Sequence, residues 1–274
     1  MTRLVRSGNP ARSVLWNPEA GTIDGAGLEG IDAAVHLAGE SIAAGRWTAA
    51  RKARIRDSRV KGTRLLSEAL ATMHRRPQVL ISASAIGYYG DRGSELLGEE
   101  TASGTGFLPE VCRQWESATD RAEGNGIRVV RVRIGVVLSS EGGALGKMLL
   151  PFKLGVGGKI GSGKQYMSWI TLSDLCAAVA HCINAGTLHG AVNAVSPAPV
   201  TNLEFTKTLG RVLSRPTIFP LPAFVARLAL GQMAEELLLA STRVDPARLR
   251  DTGFVFQHTD LYSALRSVLL AIPA

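Results

Sequence analysis

Short apolar segments alternate with longer segments of helical character, and this alternation limits the possible folds more than any other feature of the sequence. The apolar segments are residues 33–37, 79–83 and 127–138. Residues 48–73 and 107–123 lie between them, have the length of crossover helices and are predicted to be helical. Strands that alternate with helices in this way form a parallel sheet. The sequence therefore predicts an α/β protein.

The ends of the predicted strands hold the residues best placed to bind a ligand. In an open parallel sheet, ligands bind beyond the carboxyl ends of the strands, where the strand order reverses. These ends are polar, rich in glycine or abrupt, and comprise residues 5–6, 37–40, 82–89 and 135–137. Arg6 follows the first strand without an acidic neighbour, a pattern that favours the 2′-phosphate of NADP over NAD. An ordinary loop arginine is the alternative that remains open.

The composition excludes several classes of protein. Of 274 residues, 46% are hydrophobic and 20% charged, which is enough for a substantial core and leaves little room for disorder. No apolar stretch reaches about 18 residues, so we expect no membrane partner. Much of the net charge of +8 lies in residues 46–64, either as a solvated helix face or as arginines that reach an anionic ligand. Zinc spacing and interleaved aromatic residues are absent, so we expect no nucleic-acid partner.

The cysteines and histidines indicate neither a disulfide framework nor a metal site. Cys112, Cys176 and Cys182 are odd in number and lack paired spacing, which is typical of a reduced, cytoplasmic protein. The five histidines lack the spacing of metal ligands. His36 lies inside an apolar strand, and we expect it to be a hydrogen-bonded core residue and not a catalyst.

The character of the sequence changes near residue 150, where short helices, glycine loops and prolines replace the alternating pattern. We expect a smaller lobe from there on. Residues 158–165 nearly match the phosphate loop GxxxxGK[ST], but Gln165 stands where the motif needs a hydroxyl to bind magnesium. The sequence also predicts neither the strand before this loop nor the helix after it that the motif requires, so we reject an NTPase.

Several segments, in their order and spacing, resemble one known family over the whole chain. They are residues 34–40, 46–47, 58–59, 82–90, 115–116, 133–138, 148–152, 155–165, 169–170, 174, 243–249 and 253–254. The sequence is similar to the epimerase-like family of extended short-chain dehydrogenases/reductases. These are related to the NAD-dependent epimerase/dehydratases and carry a C-terminal domain of unknown function.

This resemblance implies a Rossmann-like, doubly wound parallel sheet in residues 1–150 and a substrate-side lobe with the family's C-terminal domain in residues 151–274. It implies an NADP-dependent oxidoreductase or epimerase that acts on an unknown small molecule. The cofactor contacts that it implies come from Val5, Arg6, Leu37, Ala38, Gly39, Arg59 and, through its backbone, Val137. The substrate-side residues that it implies are Gln165, Trp169 and Asp174.

The expected catalytic set is incomplete. The resemblance places Ser84 at the family's catalytic Ser/Thr, so we expect Ser84→Ala to reduce turnover more than binding. The family's Tyr-x-x-x-Lys pair, which shuttles a proton, falls on Leu108 and Cys112, and neither can do so. Tyr88 or Tyr89 would have to replace the tyrosine, although both could equally be packing residues. A nucleotide-binding or redox-sensing module without turnover is therefore the alternative.

The sequence opens on what corresponds to the family's second strand. The resemblance implies an earlier strand, a GxxGxxG turn and a helix, which together need roughly 25 to 30 residues. We expect the strands at 2–6 and 33–37 each to lack a neighbour, because the first strand lies between them in such a sheet. For the sequence as it stands we then expect poor solubility and no dinucleotide binding, which leaves a truncated, non-binding product as a third alternative.

Overall fold

The computed structural model describes residues 1–7 and 13–270. The strands are β1 (Arg3–Val5), β2 (Ser13–Asn17), β3 (Thr22–Ile23), β4 (Ala33–His36), β5 (Val79–Ala85), β6 (Leu96–Leu97), β7 (Arg128–Ile134), β8 (Val136–Leu138), β9 (Tyr166–Met167), β10 (Trp169–Thr171), β11 (Gly190–Ala194), β12 (Val200–Thr201) and β13 (Arg243–Val244). The α-helices are α1 (Ala49–Thr72), α2 (Phe107–Ser117), α3 (Asp120–Glu123), α4 (Gly143–Lys153), α5 (Leu172–Asn184), α6 (Asn202–Leu213), α7 (Ala223–Leu230), α8 (Gln232–Ala234), α9 (Ala247–Asp251) and α10 (Leu261–Leu270), and a π-helical turn spans Glu235–Leu239. Within the described residues, no helix is both long and apolar enough to cross a membrane.

The main sheet contains four strands in the order β11-β7-β5-β4, and every neighbouring pair is parallel. β5 and β7 pair over seven residues, from Val79 opposite Arg128 to Ala85 opposite Ile134. α5 packs on one face of the sheet, and α1 with α3 packs on the other. Both faces of the central strand β5 are buried, which explains why residues 79–83 are largely apolar. The predicted α/β fold with a parallel sheet and crossover helices is confirmed.

A separate small sheet lies beside β4. β1 pairs with β2 in parallel, and β2 pairs with β3 antiparallel. Among the described residues, β1 pairs only with β2 and β4 only with β5, so the predicted one-sided pairing of these strands is confirmed. Side chains nevertheless connect the two sheets: Val14 and Ala34 share one core cluster, and the ring centroids of Trp16 and His36 are 5.7 Å apart. Backbone pairing is therefore interrupted between the two sheets, whereas their side chains still pack together on one face.

The other face of the sheet is uncovered at this break. Side chains alternate along a strand, so the neighbours of the buried residues point to the opposite face. There Leu15, Val35 and Leu37 are 44%, 44% and 55% exposed. His36 is buried as expected, but its Nε2 has no hydrogen-bond partner among the described residues, which corrects the expectation of a hydrogen-bonded histidine. Burial lowers the pKa of His36 to about 4, so the ring is neutral at physiological pH.

Residues beyond 150 still contribute to the main sheet. β11 is one of its strands, and α5 packs on one of its faces. β11 pairs with β7 from Gly190 opposite Val130 to Ala194 opposite Ile134. The chain leaves the sheet at β8, which pairs with β10, and forms a second core in which α4, α6 and α10 pack together. The expected boundary at residue 150 thus coincides with a change in composition. The chain, however, passes between the main sheet and the second core more than once.

The glycine-rich segment 158–165 is a packed loop. A Cβ atom on Gly158 would lie 2.0 Å from the carbonyl oxygen of Phe219. The amide of Gly161 donates to the carbonyl of Leu221 at 2.9 Å, and the amide of Leu221 donates to the carbonyl of Lys159 at 2.8 Å. The glycines therefore allow two backbone segments to approach closely, in agreement with the rejection of a phosphate loop.

Candidate functional site

The end of β4 and the side of α1 bring together part of the predicted cofactor site. Residues 37–39 are exposed beyond the strand. Arg59 lies directly behind them: a Cβ atom on Gly39 would be 3.2 Å from its Cζ. Its Nη1 donates to the carbonyl of Glu40 at 3.0 Å, and its guanidinium stacks on Trp115 at 5.0 Å. Glycine at position 39 thus leaves room for a fixed cation at the strand end.

Arg6 lies at the end of β1 beside a cavity of about 330 Å³. Its side chain is 66% exposed, and its acidic partner Glu19, which is 87% exposed, is 3.9 Å away. The cavity is lined by Arg6, Leu15, Trp16, Asn17, Thr22, Ile23 and Asp24. A loose surface ion pair contributes little free energy, so the guanidinium remains available to another anion. Val5 precedes it as the last residue of the strand.

The other predicted contacts lie deeper in the protein. Val137 is half-buried in β8, where it pairs with Ile170. The three predicted substrate-side residues are buried and bound to main-chain groups: Gln165 donates to the carbonyls of Ile160 and Leu238, Trp169 donates to that of Ala198, and Asp174 accepts from the amides of Gln257 and His258. They hold the lobe together, and their direct contact with a substrate stays a prediction.

Ser84 belongs to a buried polar network between β5, β7 and α2. Its Oγ donates to Oε1 of Glu116 at 2.7 Å. Arg133 binds the same carboxylate with two parallel hydrogen bonds, Nε to Oε1 and Nη2 to Oε2, both of 2.9 Å. Arg133 is 4% exposed and Ser84 is 2% exposed. Although burial opposes the charge, the Glu116 carboxylate raises the pKa of Arg133 above its usual value. Arg133 is therefore a buried cation that the Glu116 carboxylate holds in place.

The two tyrosines complete the same network. The hydroxyl of Tyr89 accepts from Nη1 of Arg133 at 3.0 Å and donates to Oδ1 of Asn193 at 2.8 Å. Burial raises the pKa of Tyr89, so its phenol stays protonated. The ring of Tyr88 lies 3.5 Å from the guanidinium carbon of Arg133. The structure thus brings Ser84, Tyr88 and Tyr89 together around one arginine.

This network opens on a cavity of about 580 Å³ on the α2 side of the sheet. Its lining is largely charged and consists of Tyr88, Glu99, Glu100, Thr101, Ala102, Arg113, Glu116, Ser117, Asp120, Arg131, Arg133, His189, Gly190, Ala191 and Arg248. Sequence reasoning included Glu116 and Arg133 only as parts of the resemblance and did not identify Glu99 or Asn193 at all. A buried arginine in a strand is the signal that could have revealed the network, since such a charge requires an acidic partner.

The positions of the family's tyrosine and lysine are apolar and closed. Leu108 is buried against Gly87, where an added Cβ would lie 3.3 Å from that of Leu108. Cys112 is buried, and its Sγ lies 3.8 Å from the carbonyl oxygen of Ala85. Burial raises the pKa of Cys112 to about 12, so its thiol is not a reactive thiolate. Among the described residues, no three His, Cys, Asp or Glu side chains form a group that could hold a metal ion.

Ser84 is not at the level of Leu108. Its partner Glu116 lies eight residues further along α2, which is about two helical turns. Its hydroxyl is also fully committed to that carboxylate. Ser84 thus belongs to the network that joins α2 to the sheet, and its expected role in polarising a substrate carbonyl stays a prediction.

The parallel sheet with crossover helices and the strand-end cleft define the dinucleotide-fold class of α/β proteins. Residues 20–194 match the NAD dependent epimerase/dehydratase family, and residues 221–268 match a domain of unknown function, DUF1731. The chain belongs to the NAD-dependent epimerase/dehydratase family. It is 45% identical to the epimerase family protein Mb2239 of Mycobacterium bovis over 265 residues, which cover 96% of this chain and 87% of that protein.

Solved structures agree with this assignment. The human epimerase family protein SDR39U1, crystallised with NADPH, superposes with a TM-score of 0.91 at 34% identity, covering 99% of this chain and 91% of that one. A nucleoside-diphosphate sugar epimerase from Corynebacterium glutamicum superposes with a TM-score of 0.80 at 38% identity, covering 98% of this chain and 52% of that one. The predicted family and its C-terminal domain are confirmed.

Proposed function

We propose that this chain belongs to the NADP(H)-binding members of its family, and that the adenosine half of the cofactor lies at the ends of β1 and β4. The observation that carries the proposal is the exposed guanidinium of Arg6, which is free to bind a 2′-phosphate beside a cavity. The NADPH in the human SDR39U1 structure supports the same cofactor. The substrate in this proposal is a small molecule, handled by an oxidoreductase or epimerase reaction.

The residues at the two strand ends fit the adenosine half. Arg6 would hold the 2′-phosphate, and residues 37–39 would lie along the adenine and ribose, with the Arg59 cation behind them. Gly39 allows close approach because it carries no side chain. When bound, NADP(H) supplies hydride transfer. That the nicotinamide end of the cofactor would lie near the backbone of Val137 is part of the same proposal.

A second function, nucleotide binding without tyrosine-dependent turnover, is favoured by the apolar pair Leu108 and Cys112. Neither side chain can donate a proton at the place where the family has its tyrosine and lysine. Redox sensing is less favoured, because burial suppresses ionisation of the Cys112 thiol. Spectrophotometric assays with a panel of carbonyl compounds distinguish the two functions: NADPH oxidation by this chain supports the enzyme, and binding without oxidation supports the module.

The cofactor proposal is tested with adenosine 2′,5′-bisphosphate, which probes the adenosine half alone, and with AMP as the ligand that lacks the 2′-phosphate. A charge-assisted contact to Arg6 contributes on the order of 1.5 to 3 kcal/mol. We therefore expect the bisphosphate to bind about ten- to a hundredfold more tightly than AMP in calorimetric titration. Arg6→Ala should remove this difference, and in NADPH and NADH titrations it should weaken NADPH alone.

Arg3→Ala is the matched control, because Arg3 is an exposed arginine on the same strand and lies outside the cavity. It should retain the preference for the bisphosphate. Equal affinities of the unmodified chain for the two nucleotides, or equal losses in the two variants, would refute the assignment of Arg6.

A further inference from the structure

Residues 230–239, which we call the lid, cover the amino end of α2. They comprise Leu230, which is the last residue of α7, then Gly231, α8 and the π-helical turn. Leu230, Met233 and Leu237 pack in one apolar cluster with Leu108 and Trp47. Leu108 stands where the family resemblance places the catalytic tyrosine. The lid therefore closes the position at which a substrate would meet that residue.

One carboxylate joins the lid to the helix. Oε1 of Glu236 accepts the amide hydrogen of Phe107 at 3.1 Å, and Oε2 accepts that of Leu108 at 2.7 Å. The first amides of a helix have no partner within the helix, and they carry the positive end of its dipole. Nε2 of Gln232 donates to the same Oε1 at 2.6 Å, and Gln232 in turn accepts from Lys52 of α1. Glu236 thus holds both amides with a full negative charge.

The backbone on both sides is shaped for this contact. Gly106 precedes α2 with φ of 122°, a conformation that favours glycine, and a Cβ atom there would lie 3.3 Å from Oε1 of Glu236. On the lid side, Glu236 lies in the π-helical turn, a wide form of helix that is uncommon and is frequent at functional sites. A side chain at position 106 or a regular helix in the lid would alter the approach of the carboxylate.

We propose that Glu236 is a latch: its carboxylate positions the lid over Leu108, and release of this carboxylate opens the amino end of α2. The role of the latch in turnover rests on the proposed function, whereas the contact itself does not require a nucleotide. Among the described residues, the preceding Glu235 forms an ion pair with Arg227 of α7 and makes no hydrogen bond or ion pair with α2. Replacing each glutamate in turn therefore distinguishes loss of the latch contact from the general effect of removing one negative charge.

Hydrogen exchange followed by mass spectrometry, without nucleotide, tests the latch. In Glu236→Ala we expect the amides within residues 107–110, which are those of Phe107, Leu108 and Glu110 because Pro109 has none, to exchange at least about tenfold faster, since a local opening then exposes them. The amides of β11 should keep their protection, since that strand is held by the main sheet. Glu235→Ala should leave both regions unchanged.

Added formate distinguishes a latch from a merely structural glutamate. A small carboxylate can occupy the two freed amides, so formate should restore protection of residues 107–110 in Glu236→Ala, whereas chloride at the same ionic strength should not. If Glu236→Ala does not fold, Glu236→Gln, which keeps the shape but loses the charge and one acceptor oxygen, replaces it and should show a smaller acceleration at the same amides.

Three results would overturn the proposal: unchanged exchange at residues 107–110, equal acceleration in β11, or no response to formate. Failure of the nucleotide titrations would refute the proposed function and leave these exchange results valid. Conversely, intact nucleotide binding with unchanged exchange would refute the latch alone.

Discussion

The two ends of helix α2 are built from opposite kinds of residue. At its carboxyl end, Glu116 holds Arg133 and Ser84 in a largely buried polar network. At its amino end, Leu108 packs in an apolar cluster under the lid, and Cys112 is buried about one turn further along the helix. In the family resemblance, this is the helix that carries the catalytic tyrosine and lysine. The charged groups of the network therefore join the helix to the sheet, while the positions that the resemblance assigns to proton transfer carry Leu108 and Cys112.

This difference predicts that changes at the carboxyl end act mainly on stability. Glu116→Ala should have the largest effect, because it leaves Arg133 buried without its acidic partner. Breaking a buried ion pair on one side costs about 3 to 5 kcal/mol of unfolding free energy. Urea denaturation at equilibrium measures this loss.

Glu110→Ala is the control on the same helix. Glu110 is exposed and pairs with Arg113 at the surface, where solvent screens the interaction. Its removal should cause a much smaller loss than Glu116→Ala. Comparable losses in the two variants would show that the polar network does not stabilise the protein in the way described.

Ser84→Ala should have a smaller effect on the same network. The change removes one hydrogen bond to the Glu116 carboxylate, which contributes about 1 to 2 kcal/mol. Ser82 lies two residues earlier on the same face of β5, and its only side-chain hydrogen bond within the described part of the chain, to the carbonyl of Ala83, is 3.5 Å long. Ser82→Ala is therefore the matched control and should lose less. A drop of about 10²-fold in turnover with unchanged stability would instead restore Ser84 as a catalytic residue.

The sequence predicted the parallel sheet because buried strands and crossover helices leave a local signal. Residues 33–37 and 79–83 show it in their nearly continuous apolar side chains, which His36 and Ser82 alone interrupt. The same local reasoning placed the domain boundary at residue 150, since it had no information on the return of β11 to the sheet.

The candidate site was less predictable, because its contacts join distant parts of the chain. Ser84, Tyr88 and Tyr89 are near one another in sequence, so their proximity was foreseen. Asn193, however, meets Tyr89 across 104 positions, and Glu236 meets Leu108 across 128. Neither a periodicity nor a motif in the sequence predicts contacts between residues so far apart. They follow only from the way in which the sheet and the lobe pack together.

The reactivity of Cys112 tests most directly whether the amino end of α2 is closed and unreactive. The thiolate is the reacting form of cysteine, and burial raises the pKa of Cys112 to about 12 and that of Cys182 to about 11. Alkylation of the native protein with iodoacetamide at about pH 8, mapped by mass spectrometry, should therefore modify the exposed Cys176 and spare the other two. Cys182, which α5 buries against the main sheet, reports global unfolding. Protection of both buried thiols is the predicted result, whereas modification of Cys112 at the rate of Cys176, with Cys182 still protected, would contradict the account.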